Sequence, residues 1–200
     1  MKWKVCGMKN PDNIRALAQL EPNYMGFIFW EHSARHLQQP IPKLVEGTQK
    51  VGVFVNASLQ TVESTVASYH LQLVQLHGNE TPEFCHQLQK QGIKVIKAFA
   101  VGTTFDFEIL LPYESACDYY LFDTKGKKPG GNGTQFDWEV LKKYPSKKPF
   151  FLSGGIGLED LSKIKAIEGL PIHAIDVNSK FELEPGLKNI EKLNELKLQL

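Results

Sequence analysis

The sequence predicts an α/β protein with the fold of a (β/α)8 TIM barrel, formed by a single domain over residues 1–200. Two observations carry this prediction: short apolar runs recur eight times, and segments with helical periodicity lie between them. The composition agrees, because 200 residues with 42% hydrophobic and 22% charged content can bury one sizeable core. This length lies at the short end of the range for such barrels.

The predicted strands are rich in β-branched and aromatic residues, and most are continuously apolar. Continuous apolar runs are typical of parallel strands that are covered on both faces. The predicted strands are residues 3–6, 25–29, 51–55, 73–77, 94–99, 119–123, 149–153 and 173–177. An open doubly wound sheet is the alternative architecture, but it usually has fewer strands, and no GxGxxG motif follows the first strand.

The segments between the strands show the apolar period of helices, and several begin with Asn, Ser, Thr or Asp, which cap helices. The predicted helical segments are residues 10–20, 56–70, 81–92, 103–113, 136–144, 157–167 and 189–200. The connection after the second strand contains prolines, which leave room only for a short helix at about 43–47.

Charge and cysteine content exclude several classes of protein. The formal net charge is +1, from 23 basic and 22 acidic residues, so neither nucleic acid nor an anionic membrane is an expected partner. The amino terminus has no apolar signal core, and no window approaches the ~18 apolar residues of a membrane helix, which predicts a cytoplasmic protein. Three cysteines without a CxxC pair argue against a disulfide framework and a zinc ribbon.

The residues that end the predicted strands are the candidates for the functional site, because barrel enzymes have their active sites at the C-terminal ends of the strands. Asp123 stands out, since it places a carboxyl group where an apolar run stops. The candidates are Cys6, Gly7, Arg35, Asn56, His77, Gly78, Ala98, Phe99, Asp123, Ser153, Gly154, Gly155, Asp176, Asn178 and Ser179.

Two motifs at the last two strands are typical of a phosphate site. SGGIG follows the seventh strand and DVNS follows the eighth. Glycines let backbone N–H groups approach an anion closely, and phosphate bound by these two loops is recurrent in this fold. The glycines could instead make only a tight turn, but Ser179 at the matching place after the next strand favours phosphate.

Cys6 and Asp123 are the candidate base and acid. A lone cysteine is more often a small buried hydrophobe, but Cys6 ends a strand, whereas Cys85 lies inside a predicted helix and Cys117 precedes a strand. A thiol can act as a base near neutrality if a positive neighbour lowers its pKa. Asp123 could cap a helix or tether a loop; to act as an acid it needs a raised pKa.

Arg35 and His77 are candidates for substrate binding. Arg35 could pair with a carboxylate, although an exposed arginine is usually a solvated surface group. His77, before a glycine at a strand end, could bind ligand or only the backbone. His32 and His36 have helical spacing, but they lack the glutamate of a zincin motif, and no metal site is predicted.

Several blocks of the sequence together resemble one family, phosphoribosylanthranilate isomerase, the barrel enzyme of tryptophan biosynthesis. The blocks are KVCG, GFIF followed by SARH, VGVFVN, VQLHGNE, PGGNGTQFDW, LSGGI and DVNSKFELEPGLKN. They occur in the family's order from residue 4 to about residue 190, and their combination is far more specific than any single block.

The resemblance implies a role for each matching residue. Cys6 would be the general base, Asp123 the general acid and Arg35 the partner of the anthranilate carboxylate. Asp176 is similar to the family's acid near the anthranilate amine and the ribose hydroxyls. Phosphate-binding positions would be Gly154, Gly155, Asn178 and Ser179.

Three residues depart from the family's usual pattern. Asn178 and Lys180 stand where Ser and Gly are usual, and Asn132 stands where Thr is usual. Phosphate binding through the backbone should survive the change at Asn178. Lys180, however, is expected to adopt a conformation that glycine accepts more easily.

The reaction implied by the resemblance is the Amadori rearrangement of N-(5-phosphoribosyl)anthranilate to 1-(2-carboxyphenylamino)-1-deoxyribulose 5-phosphate. The imine formed on ring opening is itself the electron sink, so neither a metal nor an organic cofactor is expected. The glycines of KPGGNG would let the loop after Asp123 fold over the ligand. The sequence leaves the oligomeric state open between monomer and homodimer.

Other phosphate-binding barrels are the alternatives. The histidine-pathway aminoaldose isomerase has an acid where this chain has Cys6, and indole-glycerol-phosphate synthase carries an extra amino-terminal segment and several site lysines. A non-catalytic sugar-phosphate sensor would have lost the acid or the base. Both Cys6 and Asp123 are present in this chain.

Overall fold

A closed ring of eight parallel strands forms the centre of the molecule. The computed structural model describes residues 1–125, 136–167 and 169–200. The strands pair in sequence order, and β8 closes the ring against β1. They are β1 Lys2–Val5, β2 Tyr24–Ile28, β3 Gln49–Phe54, β4 Leu73–Leu76, β5 Lys94–Val101, β6 Tyr119–Thr124, β7 Phe150–Leu152 and β8 Ile172–Val177. The predicted (β/α)8 barrel is confirmed, and the open doubly wound sheet is excluded.

The connections in the described residues contain both α- and 3₁₀-helices. The α-helices are α1 Pro11–Ala18, α2 Leu59–Tyr69, α3 Pro82–Lys90, α4 Leu161–Ala166 and α5 Ile190–Gln199. The 3₁₀ helices are Phe107–Tyr113, Trp138–Lys143, Leu158–Asp160 and Ser179–Phe181. Pro112 lies inside the first of these, where its missing N–H and its ring disfavour a regular α-helix.

The N-terminal caps that the sequence predicts are present. The side chains of Asn10, Ser58, Thr81 and Asn189 each accept a hydrogen bond from a backbone N–H in the first turn of α1, α2, α3 and α5. These bonds satisfy donors that have no partner inside the helix. The start of each of these helices is therefore encoded locally.

The short helix predicted at about 43–47 is absent, and that prediction was wrong. Upstream of this segment, the backbone bridges to β2 through His36 and Leu37 instead. Pro40 and Pro42 disfavour the helical region for the residues before them, and five residues are too few to form a helix without caps or packing.

Apolar side chains fill both sides of the strand ring. On β1, Trp3 and Val5 belong to the layer between the ring and the helices. A second cluster, with Val51, Leu73 and Leu121 among its members, fills the inside of the ring. Since successive side chains of a strand point to opposite faces, Lys4 and Cys6 face inward.

A short hairpin after β8 was not predicted. Its strands, β9 Glu182–Glu184 and β10 Leu187–Lys188, pair antiparallel. The loop that is predicted to fold over the ligand, including Asn132, lies within residues 126–135, outside the described residues. None of the described helices is long and apolar enough to cross a membrane. The cytoplasmic location stays a prediction.

Candidate active site

A buried thiol and two buried carboxyl groups meet at the C-terminal end of the ring. Cys6 follows β1, Asp123 lies near the end of β6, and Asp176 lies near the end of β8. Each is 5–6% exposed. Asp176 lies close enough to both Cys6 and Asp123 to interact electrostatically with each of them. The ring thus brings the predicted base and acid to the same pole.

Cys6 occupies a crowded and charged position. Burial raises the pKa of its thiol above the ordinary value, although the Lys4 ammonium group opposes this shift. The sequence analysis made a lowered pKa, through a positive neighbour, the condition for this thiol to act as a base near neutrality. Positive neighbours are present, but desolvation of the thiolate outweighs them.

His77 contacts the predicted acid. Its Nε2 lies 3.3 Å from Asp123 Oδ2, and its Nδ1 lies 2.8 Å from Gln75 Nε2. When the Gln75 amide is the donor to Nδ1, a neutral His77 ring carries its proton on Nε2, facing Asp123. The backbone N–H of Thr124 donates a second hydrogen bond to Asp123, at 2.9 Å. The His77 ring therefore contacts two side chains, those of Asp123 and Gln75, rather than the backbone.

Arg35 forms a two-point ion pair with Glu182 of β9. Its Nε lies 2.9 Å from Oε1, and its Nη2 lies 2.6 Å from Oε2. Lys188 of β10 is also bound to Glu182, at 2.7 Å, and Gly186 donates its backbone N–H to the same carboxylate. Burial lowers the pKa of Lys188 to about 8 despite this carboxylate. The hairpin therefore fixes the orientation of Arg35, which is not a solvated surface group.

The two predicted phosphate loops have backbone shapes that suit glycine and tight turns. Gly154 and Gly155 have φ values of +99° and +67°. A methyl group added to Gly154 would lie 2.4 Å from Thr124 Oγ1, so a larger residue does not fit. Ser179 begins a 3₁₀ turn, and Asn178 precedes it.

Of the two expectations for the second phosphate loop, the one for Asn178 stays a prediction and the one for Lys180 was wrong. The side chain of Asn178 accepts a hydrogen bond from Lys188 Nζ at 2.6 Å, so this side chain braces the hairpin. Lys180 lies within the 3₁₀ turn and is absent from the positive-φ residues. The expectation of a conformation that favours glycine was wrong for Lys180, because the chain turns here with right-handed dihedral angles.

Within the described residues, no group of three or more His, Cys, Asp or Glu side chains could hold a metal ion. Cys85 and Cys117 are buried in the layer outside the strands, away from Cys6. The candidate acid and base, the arginine and the glycine loops lie at this pole of the ring. They suit proton transfer on an anionic sugar-like ligand.

Comparison with known proteins agrees with this geometry. The family model described as "N-(5'phosphoribosyl)anthranilate (PRA) isomerase" matches residues 3–197. The chain belongs to the phosphoribosylanthranilate isomerase family. Membership in this family rules out the histidine-pathway isomerase and indole-glycerol-phosphate synthase as assignments.

Relatives from sequence and structure cover nearly the whole chain. The phosphoribosylanthranilate isomerase of Parabacteroides distasonis is 46% identical, over 98% of this chain and 92% of its own. That of Phocaeicola vulgatus is 42% identical, over 93% and 91%. The Thermus thermophilus crystal structure has a TM-score of 0.87 at 27% identity, over 100% of this chain and 98% of its own. A second structure, solved with reduced 1-(o-carboxyphenylamino)-1-deoxyribulose 5-phosphate, has a TM-score of 0.84 at 29% identity, over 100% and 97%.

Sequence reasoning missed several buried charged residues of this isomerase fold. Lys4 donates to Asp176 at 2.9 Å, and Lys97 donates to Glu80 at 3.0 Å. Glu80 also accepts the backbone N–H groups of Asn56 and Gly78, and so ties together the loops after β3 and β4. A signal was available, because Lys4 and Lys97 are charges inside otherwise apolar strands, where an unpaired ammonium group is costly. The hairpin residues Glu182 and Lys188 carried no such signal.

Proposed function

We propose that this chain isomerises N-(5'-phosphoribosyl)anthranilate to 1-(2-carboxyphenylamino)-1-deoxyribulose 5-phosphate, with Cys6 as the general base and Asp123 as the general acid. The observation that carries the assignment is the meeting of these two buried groups at the C-terminal pole of the ring, with Asp176 within electrostatic reach of both. Among the cysteines, only Cys6 follows a strand of the ring at this pole.

The chemistry begins with two proton transfers, one from Asp123 and one to Cys6. Asp123 donates its proton to the furanose ring oxygen, the C1–O bond breaks, and the nitrogen lone pair forms the imine. Cys6 then removes the proton from C2, the C–H electron pair forms the C1=C2 double bond, and the C1=N π pair returns to nitrogen to give an enolamine. Protonation at C1 together with loss of the proton from the C2 hydroxyl group yields the ketone at C2. The positive charge on the iminium nitrogen favours a nearby thiolate, which offsets the burial that otherwise holds Cys6 in its thiol form.

His77 supports the acid. With Nε2–H directed at Asp123 Oδ2, it stabilises the carboxylate that is left after proton donation. His77 would therefore act beside the substrate, through its contact with Asp123. Asp176, beside Lys4, faces the same space and is the candidate partner of the anthranilate amine and the ribose hydroxyls.

Substrate anions have two separate candidate partners. Glu182 occupies the Nε–Nη2 edge of Arg35, which leaves the Nη1–Nη2 edge for the anthranilate carboxylate. The backbone of Gly154, Gly155, Asn178 and Ser179 would bind the phosphate. The positive φ of both glycines supports this part of the proposal, since such turns direct N–H groups toward an anion.

No metal or organic cofactor is needed for these steps, because the imine accepts the developing electron pair. Prolonged chelator treatment is expected to leave turnover unchanged. Loss of activity with chelator and its return with zinc would contradict this part of the proposal. The remaining expectations are a cytoplasmic location and a monomer or homodimer, for which analytical ultracentrifugation is the direct measurement of assembly.

The decisive experiment is an assay of the purified chain with freshly prepared N-(5'-phosphoribosyl)anthranilate, followed by the loss of substrate fluorescence and identification of the product by mass spectrometry. We expect turnover in the wild type and none above background in the Cys6→Ser/Asp123→Asn double variant. A chain that binds the reduced product analogue but does not turn over substrate would be a sensor, and the proposal would be wrong.

A further inference from the structure

Lys4 is the buried cation nearest to the proposed base in sequence and lies on the same strand. It is 0% exposed, and its Nζ donates to Asp176 Oδ1 at 2.9 Å. Lys4 and Asp176 are paired residues in the register of β1 and β8, so the ring itself sets their contact. Lys4 and Cys6 are two residues apart, and both therefore point into the ring.

Gly26 of β2 shows how closely the two side chains approach. A methyl group added to Gly26 would lie 2.7 Å from Cys6 Sγ and 3.1 Å from Lys4 Nζ. The sulfur and the ammonium nitrogen thus border the same small space over Gly26. The ammonium group of Lys4 has three N–H donors. Among the oxygen atoms of the residues that the structure describes, it donates only to Asp176 Oδ1, so donors remain for the sulfur of Cys6.

Four charged groups from four parts of the fold face Cys6. They are Lys4 on β1, Asp176 on β8, Lys188 on β10 and Arg35 in the loop after β2. Arg35 and Lys188 share the carboxylate of Glu182, and Lys4 binds that of Asp176. Three cations against two carboxylates leave one positive charge, which a thiolate at Cys6 would balance.

We propose that Lys4 is a positioning residue for the base: held by Asp176 over Gly26, its ammonium group stabilises the thiolate form of Cys6. Lys188 is less suited to this role, because its Nζ is bound to Asn178 and Glu182 in the hairpin. The direction of the electrostatic effect agrees with this role. Burial raises the pKa of Cys6, and among the groups that lower it Lys4 has the largest effect.

The inference rests on the proposed role of Cys6 as the base. Its test does not depend on that role, because it measures the thiolate directly. The rate of alkylation of Cys6 by iodoacetamide, measured against pH with the labelled peptide identified by mass spectrometry, reports the thiolate fraction without any turnover. The midpoint of that curve depends on the stability of the thiolate. The plateau depends on access to the sulfur. Burial also acts on the midpoint, so a variant that keeps the positive charge is needed to separate the effect of the charge from that of packing.

Lys4→Gln removes the charge and keeps a donor for Asp176. We expect the midpoint for Cys6 to rise by about one pH unit or more, as for loss of an opposite charge within a few ångströms. Near neutral pH, this corresponds to an approximately tenfold smaller thiolate fraction. Lys4→Arg should restore much of the wild-type midpoint. Lys2→Met is the matched control, because Lys2 is exposed on the same strand, and its midpoint should equal that of the wild type.

The Lys4→Gln/Asp176→Asn double variant keeps the inference testable if Lys4→Gln does not fold, because it replaces a buried ion pair by a neutral hydrogen-bonded pair. Its midpoint should lie between those of the wild type and Lys4→Gln, since the repelling Asp176 charge is lost together with the attracting one. A wild-type midpoint in Lys4→Gln would overturn the role of Lys4, as would a double-variant midpoint no higher than that of Asp176→Asn alone. Normal midpoints with no turnover in the wild type would instead contradict the proposed function.

Discussion

Asp123 and His77 approach each other across the pole of the barrel, with 3.3 Å between Oδ2 and Nε2. Asp123 lies near the end of β6 and His77 follows β4, and both strands pair with β5, which brings the two side chains together. It gives the proposed acid a hydrogen-bond donor that can stabilise its carboxylate after proton donation. The same contact makes the acid sensitive to any change that moves the loop after β4.

Replacing Asp123 by Asn is expected to lower kcat by at least about 10²-fold, the typical contribution of a positioned acid. Affinity for the reduced product analogue should change little, because the amide keeps the shape and can still accept from Thr124 N–H. Steady-state kinetics and calorimetric titration measure the two effects. Asp106→Asn, at an exposed helix cap, is the control and should behave as the wild type. Near-normal kcat in Asp123→Asn would remove this residue as the acid.

Cys6→Ser is expected to reduce kcat to a similar extent, because a hydroxyl group is a far weaker base than a thiolate. Cys117→Ser provides the comparison, since its hydroxyl can replace the S–H that donates to the Tyr113 carbonyl. We expect that variant to retain turnover. Equal activity of the two serine variants would show that the base lies elsewhere.

Arg35→Ala is expected mainly to raise KM, since the contact with the substrate carboxylate exists in both the ground state and the transition state. A charge-assisted hydrogen bond of about 1.5–3 kcal/mol corresponds to roughly a 10- to 100-fold effect. Arg35→Lys should recover little, because an ammonium group cannot bind Glu182 and a second carboxylate along two edges. Arg15→Ala, at an exposed arginine, is the control. A KM equal to that of the wild type in Arg35→Ala would refute the assignment.

Stability should depend on pH through His173 at the opposite end of the barrel, where its Nε2 bonds to the Tyr24 hydroxyl at 2.7 Å. Burial, with help from Lys2 and Lys94, lowers the pKa of His173 below its ordinary value of 6.5. The unfolded chain therefore binds a proton more readily. The stabilisation is complete above pH 6.5 and is lost as pH falls through 6.5 toward the lowered folded-state pKa.

Urea unfolding between about pH 8 and pH 5 measures this effect, because the protonation of histidine falls in that range. His173→Gln keeps a hydrogen-bond partner for Tyr24 and cannot be protonated. The difference in unfolding free energy between this variant and the wild type should shrink as the pH falls. A difference that stays constant with pH would show that His173 does not titrate on unfolding.

The ion pair of Lys97 and Glu80 should matter for stability. Both side chains are nearly fully buried, and Lys97 also donates to the carbonyl of Gly78 at 2.7 Å. Lys97→Met leaves the Glu80 carboxylate buried without its cation, which costs about 3–5 kcal/mol in comparable cases. Denaturant unfolding measures the loss, with Lys94→Met at the exposed start of the same strand as the control. A loss below about 1 kcal/mol, the value of a surface pair, would contradict this reading.

The sequence by itself determined the order of elements and the nature of the chemistry. Continuous apolar runs and capped helices are local patterns, so they indicated the eight-stranded ring, confirmed by its closure at β8 and β1. Strand ends are local as well, which is why Cys6, Asp123 and Asp176 could be assigned to one pole. Two wrong predictions also had local causes. The prolines around residue 41 left too short a segment for the predicted helix, and Lys180 lies in a 3₁₀ turn instead of the conformation that glycine accepts more easily.

Only the tertiary structure decided which charges meet. Arg35 and Glu182 are 147 residues apart, and Lys4 and Asp176 are 172 apart, so no sequence spacing indicates either pair. Their contacts follow from the register between β1 and β8 and from a hairpin whose Pro185-Gly186 turn does not by itself show what the hairpin contacts. The electrostatics of Cys6 depend on these pairs, because desolvation and opposing charges act over a few ångströms in space. The sequence could therefore name the base but not the surroundings that control its proton.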